Sequence, residues 1–187
     1  MLIRKVGGRG AAASAETNWI WNSADMGDVT LSATDHVATF NSAGHNTVRG
    51  ATALTGKKFF LLRANTASGS YLGVANGSHS LTTNIGAGTN SVGQTTTLVR
   101  YNSTTVVTVT ALADGSIIMF AVDADTGKVW MGDYLTQTWY NSGDPAAGTG
   151  EVATLTGTLY PAASGTSAAP SVVQALSMAV PTDFTKL

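Results

Sequence analysis

Short runs of β-branched and aromatic residues recur along this chain, separated by clusters of Gly, Asn, Asp, Ser and Thr. Runs of this length bounded by turn residues predict strands, and no stretch carries a convincing helical period. The clearest local unit is Ser116–Met131, where the apolar runs 117–122 and 128–131 flank Asp123-Ala124-Asp125-Thr126-Gly127. Gly127 can adopt the positive φ that closes a short hairpin loop, so a buried β-hairpin is expected here. Its Ile118, Phe120, Val122 and Trp130 are candidate core residues.

The same pattern predicts strands at 29–31, 37–40, 47–51, 58–64, 71–75, 96–101 and 104–112, then at 152–155 and 159–162. Thr105-Val106-Val107-Thr108-Val109-Thr110 partly alternates, as a strand with one wet face should. Asp114-Gly115 and Asn76-Gly77 are turn signals. Residues 81–93 read as a long surface loop with one weak strand, and Ser164–Pro170 as a small-residue linker. Val172–Val180 predicts a short helix or a last edge strand, stopped by Pro181. Residues 1–18 read as a Gly/Ala/Ser arm with a short strand at Leu2–Val6. Roughly ten short strands with turns between them and no fixed-period repeat give an all-β, antiparallel two-sheet sandwich with flexible terminal arms. The boundaries are an arm at 1–18, the sandwich at 19–165 and a tail at 166–187.

Composition adds constraints. The chain has 187 residues, enough for one domain with a sizeable core. Only 11% of residues are charged, so Thr, Ser, Asn and Gly must make the polar surface. The net charge of −1 and the scattered Lys and Arg give no basic face, and nucleic acid is not an expected partner. The absence of cysteine excludes a disulfide framework, a thiolate metal site and a thiol nucleophile. Gly7-Gly8-Arg9-Gly10 follows the first charged pair where a signal peptide would be apolar, and no run is long enough to span a bilayer. Neither a signal peptide nor membrane insertion is expected.

The motifs that could carry chemistry fail one by one. Asp123-x-Asp125-x-Gly127 begins like a calcium loop, but Lys128 and Tyr134 stand where that loop needs Gly and Glu. Gly148-x-Gly150-x-x-Ala153 lacks the strand before and the helix after that a dinucleotide site requires. A glycosidase needs two carboxylates across a cleft, and the only glutamates, Glu16 and Glu151, fall in the arm and in a loop. His36, His45 and His79 have no metal-ligand spacing and read as surface-loop histidines. No cofactor, metal or catalytic residue is expected. What stands out is the aromatic-rich loop 133–150. Tyr134, Trp139, Tyr140, Asn141 and Asp144 are its candidate ligand-binding residues, because such rings suit sugar faces or protein hot spots.

Three segments taken in order then carry a family resemblance: Trp21-Asn22-Ser23-Ala24-Asp25 through Val48-Arg49-Gly50; Leu54–Leu62 with Tyr71-Leu72-Gly73-Val74-Ala75; and Gly115–Met131 followed by Trp139 and Asn141–Gly150. Together they resemble the SPRY domain, a concanavalin A-like β-sandwich or jelly roll, in the form common in bacteriophage and prophage virion proteins. The second segment departs from the usual aromatic-acidic strand, having Phe59-Phe60-Leu61-Leu62-Arg63 without the acid. The resemblance implies binding through loops at one edge of the sandwich, with no catalytic residues. The expected function is therefore a non-enzymatic virion surface protein, a capsid decoration or a tail or fibre tip. The alternative is a carbohydrate-binding host-adhesion protein, and a glycan-degrading enzyme comes last. Expected partners are other virion proteins, a host surface glycan or protein, and further copies of the chain. The expected location is the extracellular particle, after synthesis in the host cytoplasm.

Overall fold

The structure, a computed structural model, describes residues 19–166, the backbone of 170–173, and residues 179–187. The arm at 1–18, with its expected strand at Leu2–Val6, lies outside these residues. So does part of the Val172–Val180 segment. In chain order the strands are β1 (Trp21–Met26), β2 (Val29–Leu31), β3 (Val37–Phe40), β4 (Asn46–Gly50), β5 (Lys57–Ala64), β6 (Ser70–Asn76), β7 (Ser91–Gln94) and β8 (Leu98–Tyr101). They continue with β9 (Thr104–Thr108), β10 (Ile117–Asp123), β11 (Lys128–Asp133), β12 (Thr138–Trp139), β13 (Ala153–Thr154), β14 (Leu159–Gly165), β15 (Pro170–Val173) and β16 (Thr185–Lys186).

Two sheets face each other. Sheet one runs β1-β4-β14-β6-β7-β8-β9. Sheet two runs β12-β11-β10-β5-β15-β3-β2, with β13 beside β11 and β16 beside β5. Neighbours pair antiparallel, except that β16 lies parallel to β5. The fold is an all-β, two-sheet antiparallel sandwich. Its interior is built from the inward residues of both sheets, among them Trp21, Val48, Leu72, Val74, Val92 and Val99 from sheet one. Phe40, Phe60, Leu62, Ile118, Phe120, Val122 and Met131 answer them from sheet two. Phe60 and Phe120 are direct cross-strand partners, their rings stacked with centroids 4.9 Å apart.

The β10–β11 hairpin forms as expected. Gly127 has φ +76°, and a Cβ there would collide with the Leu155 carbonyl oxygen, so only glycine fits. The Asp123 carboxylate accepts from the Asp125 and Thr126 amides at 3.2 and 3.3 Å, so it shapes the turn. Ile118, Phe120 and Val122 face the interior, but Trp130 does not. With Phe59, Leu61, Met119 and Ala121 it forms a second apolar cluster, on the outer face of sheet two. Residues 179–187 close that face: Phe184 meets Trp130 edge to face at 6.2 Å, and Val180 packs beside them. β5 and β10 are covered on both sides, which is why Phe59–Leu62 and Ile117–Val122 show no polar alternation.

Four sequence expectations are corrected. Residues 81–93 hold a loop and one strand, as expected, but they do not lie wholly at the surface: Ile85 is fully buried, and the strand, β7, is a buried inner strand of sheet one. Ile85 rests where Gly73 and Gly93 carry no side chain, and a Cβ on either would strike it. Ser164 and Gly165 are not linker but the buried end of β14, whose small side chains hid it. Val172 and Val173, the described start of the expected helix or edge strand, belong to β15, which sits between β5 and β3 in mid-sheet. His79 is not a surface histidine. It is 5% exposed, in a polar network on the outer face of sheet one. There Arg49 grips both carboxylate oxygens of Asp25 at 2.7 and 2.6 Å and donates to the Asn76 and His79 carbonyls. The His79 ring reaches the Thr83 carbonyl at 3.2 Å. Every described polar contact of Arg49 is with the fold itself, so the network is structural.

Candidate binding cleft

The loop that follows β11 is pinned along most of its length. Asp133 accepts from the Leu135 amide at 2.7 Å, and Gln137 donates to the Tyr134 carbonyl at 2.5 Å. β12 then pairs with β11 through Gly132↔Trp139. A single turn over Tyr140–Ser142 follows, in which Asn141 and Ser142 have φ near 55° and 52°. Asp144 and Thr149 exchange backbone hydrogen bonds at 2.9 and 3.1 Å, and Asp144 also caps the turn by accepting from the Ala147 amide at 3.0 Å. β11 holds the far end: Trp130 donates to the Thr149 carbonyl at 2.7 Å and Lys128 to the Gly148 carbonyl at 2.8 Å. Lys128 also lies 3.5 Å from the Glu151 carboxylate. So much local hydrogen bonding fixes the loop before anything binds, which lowers the ordering cost of recognition.

Between this loop and the closing segment lies an open cleft of about 370 Å³. Met119 of β10 contributes from the sheet, Gln137, Trp139, Asp144, Pro145 and Ala146 from the loop, and residues 179–182 from the opposite wall. Trp139 is partly buried, its ring edge-on to Phe59 at 6.3 Å. Asp144 is the one charged residue in the lining.

The five expected ligand residues are thereby divided. Trp139 and Asp144 meet in the cleft. Tyr134 packs on the outer apolar cluster instead. Asn141 is exposed and donates to the Glu151 carbonyl at 3.2 Å. Tyr140 turns inward against the main core. Burial pushes its phenol well above the ordinary range, the Asp133 carboxylate adds to the shift, and a hydrogen bond with Gln94 opposes it. The sequence reading missed Gln137, the wall at 179–182 and Leu135. Leu135 is 87% exposed at the loop tip, and it is the large exposed hydrophobic among the described residues. Pro181 was the visible signal for the wall, but sequence alone does not say which sheet face a tail crosses.

Among the described residues no three His, Cys, Asp or Glu side chains gather as metal ligands, and no helix is long and apolar enough to cross a membrane.

The architecture is that of a SPRY-type β-sandwich. The chain is similar to the SPRY domain of human HERC1, with a TM-score of 0.65 and 12% identity over 85% of this chain and 99% of that one. It is similar to the TRIM65 PSpry domain, with a TM-score of 0.64 and 14% identity over 85% and 90%. It is also similar to part of stonustoxin, with a TM-score of 0.58 and 13% identity over 85% of this chain and 27% of that one. At these identities the likeness is one of fold. No protein-family model and no curated protein matches the sequence.

Proposed function

We propose that this chain is a non-enzymatic binding module that takes its partner in the cleft between the 137–146 loop and residues 179–182, and that it is carried on the surface of a bacteriophage particle as a capsid decoration or a tail or fibre tip. The observation that carries the binding role is the cleft itself: a preformed recess on a pinned loop, with an aromatic ring and one carboxylate in its lining. A lone Asp144 offers no second acid or base, which favours recognition over glycoside hydrolysis. The virion setting rests on the sequence resemblance and on the low-charge, cysteine-free composition.

A protein partner is the first reading. SPRY domains bind proteins through loops of this kind, and Leu135 gives the tip of this loop an exposed apolar anchor. Leu135→Asp, Trp139→Ala and Asp144→Asn should each weaken capture of the partner by about tenfold or more while leaving the fold intact by circular dichroism. Normal capture by all three variants would remove the cleft as the contact surface. Antibody labelling of purified particles tests the setting, and deletion of residues 1–18 should abolish incorporation if the arm is the attachment.

A neutral carbohydrate is the second reading, favoured by Trp139, Gln137 and Asp144 sharing a cleft without a cation in its lining. It predicts loss of host-glycan binding in Trp139→Ala with little effect of Leu135→Asp, the reverse weighting from a protein contact.

A further inference from the structure

The sheet edges are protected unequally. β2 is three residues long, with the Thr30 and Asn41 side chains hydrogen-bonded beside it at 3.0 Å. β12 and β13 are two residues each. β1 carries Asp25, locked to Arg49. Short strands and charges are the usual means of keeping an edge from pairing with another chain. β9 has neither. It is five residues long, and from Thr104 to Ala113 the sequence holds no charged residue, proline or glycine. Its backbone stays beside β8 further still, since the Val109 and Leu112 amides donate to the Thr97 and Thr96 carbonyls at 2.9 and 2.7 Å. One irregularity, a register shift that leaves Val106 as an extra residue, interrupts the ladder. Val106, Val107 and Val109 pack against the core, while Thr104, Thr105 and Thr108 are exposed. No described strand pairs with the outer edge of β9.

We propose that β9 is a self-association edge: two copies of the chain pair their β9 strands antiparallel about a two-fold axis, so that the seven strands of sheet one in each copy join into a single continuous sheet. Three features point to a second copy. A two-fold pairing sets the strand against its own reverse, and with only Thr, Val, Ala and Leu between 104 and 113 no like charges oppose each other. The chain's net charge of −1 adds little repulsion between the bodies. A bound peptide strand would merely move the open edge outward, whereas reciprocal pairing of identical edges removes both.

Sedimentation equilibrium of the full chain tests this. Wild type should shift with concentration, across the micromolar-to-millimolar range, from 19.1 kDa to twice that mass. Thr105→Lys/Thr108→Lys, which places lysines on exposed positions of the edge, should remain at the single-chain mass with an unchanged circular dichroism spectrum. Thr126→Lys/Thr136→Lys adds the same charge elsewhere and should dimerise as wild type does. A wild type that stays monomeric overturns the proposal, as does an edge variant that dimerises normally or a control variant that dissociates too. Deleting residues 1–18 should leave the dimer intact; a monomer would assign the edge to the arm instead. Should the edge variant not fold, hydrogen exchange on wild type decides: amides of 104–110 must gain protection as concentration rises, and protection independent of concentration overturns the pairing.

Discussion

His79 shows how one side chain ties the fold to pH. Burial, with the Arg49 charge beside it, lowers its pKa below the ordinary 6.5, while the hydrogen bond to Thr83 opposes the shift. The unfolded chain therefore binds the proton more readily than the folded one, and protonation favours unfolding. Stability is full above the ordinary value and falls as pH drops from 6.5 toward the lowered one. Urea midpoints measured between neutral and mildly acidic pH should fall for wild type, and the fall should shrink in His79→Gln. An equal slope in the variant would place the pH effect elsewhere. Tyr140 makes the complementary point. Sequence could place an aromatic after β11 but not its direction: Tyr140 packs against the main core, where its neighbour Trp139 lines the cleft. Tyr140→Phe should leave partner binding unchanged, in contrast to Trp139→Ala, and a binding assay on the pair of variants separates packing from contact.

At the scale of elements, the hairpin and most strands were legible because short runs of β-branched and aromatic residues stand between strong turn residues. The end of β14 was not, and β7 was legible only as a weak strand within a loop. Ser91-Val92-Gly93-Gln94 and Ser164-Gly165 are small or polar, and they are buried because neighbouring strands close over them, not because they are apolar. The unbroken apolar runs of β5 and β10 were legible as buried, but their second cover was not. Phe184 supplies it, at 7% exposure, with Lys57 over its ring at 5.6 Å. Its neighbours fasten the segment, Leu187 donating to the Phe59 carbonyl at 3.0 Å and Lys58 to the Thr185 hydroxyl at 3.1 Å. Phe184→Ala removes the plug and should cost about 3 kcal/mol, near the lower end for such truncations because the segment can lift without unfolding the sheets. Limited proteolysis should then cut near residues 179–187 first, and since these residues form one wall of the cleft, partner binding should weaken in step.

Over the whole molecule, strand order and chain order disagree in a consistent way. β14 lies between β4 and β6, and β15 between β5 and β3, so the late strands occupy the middle of both sheets. The SPRY-type sandwich was legible from three ordered segments, but this interleaving was not, because pairing partners far apart in sequence leave no local trace. Contacts of such long sequence separation predict slow, cooperative folding. A chain truncated after Thr158 lacks an inner strand of each sheet and should give neither dispersed amide resonances nor a thermal transition. The position of β14 and β15 thus acts as a length check: a chain that ends before residue 159 lacks an inner strand of each sheet and should not reach the sandwich, so only completed copies become folded protein.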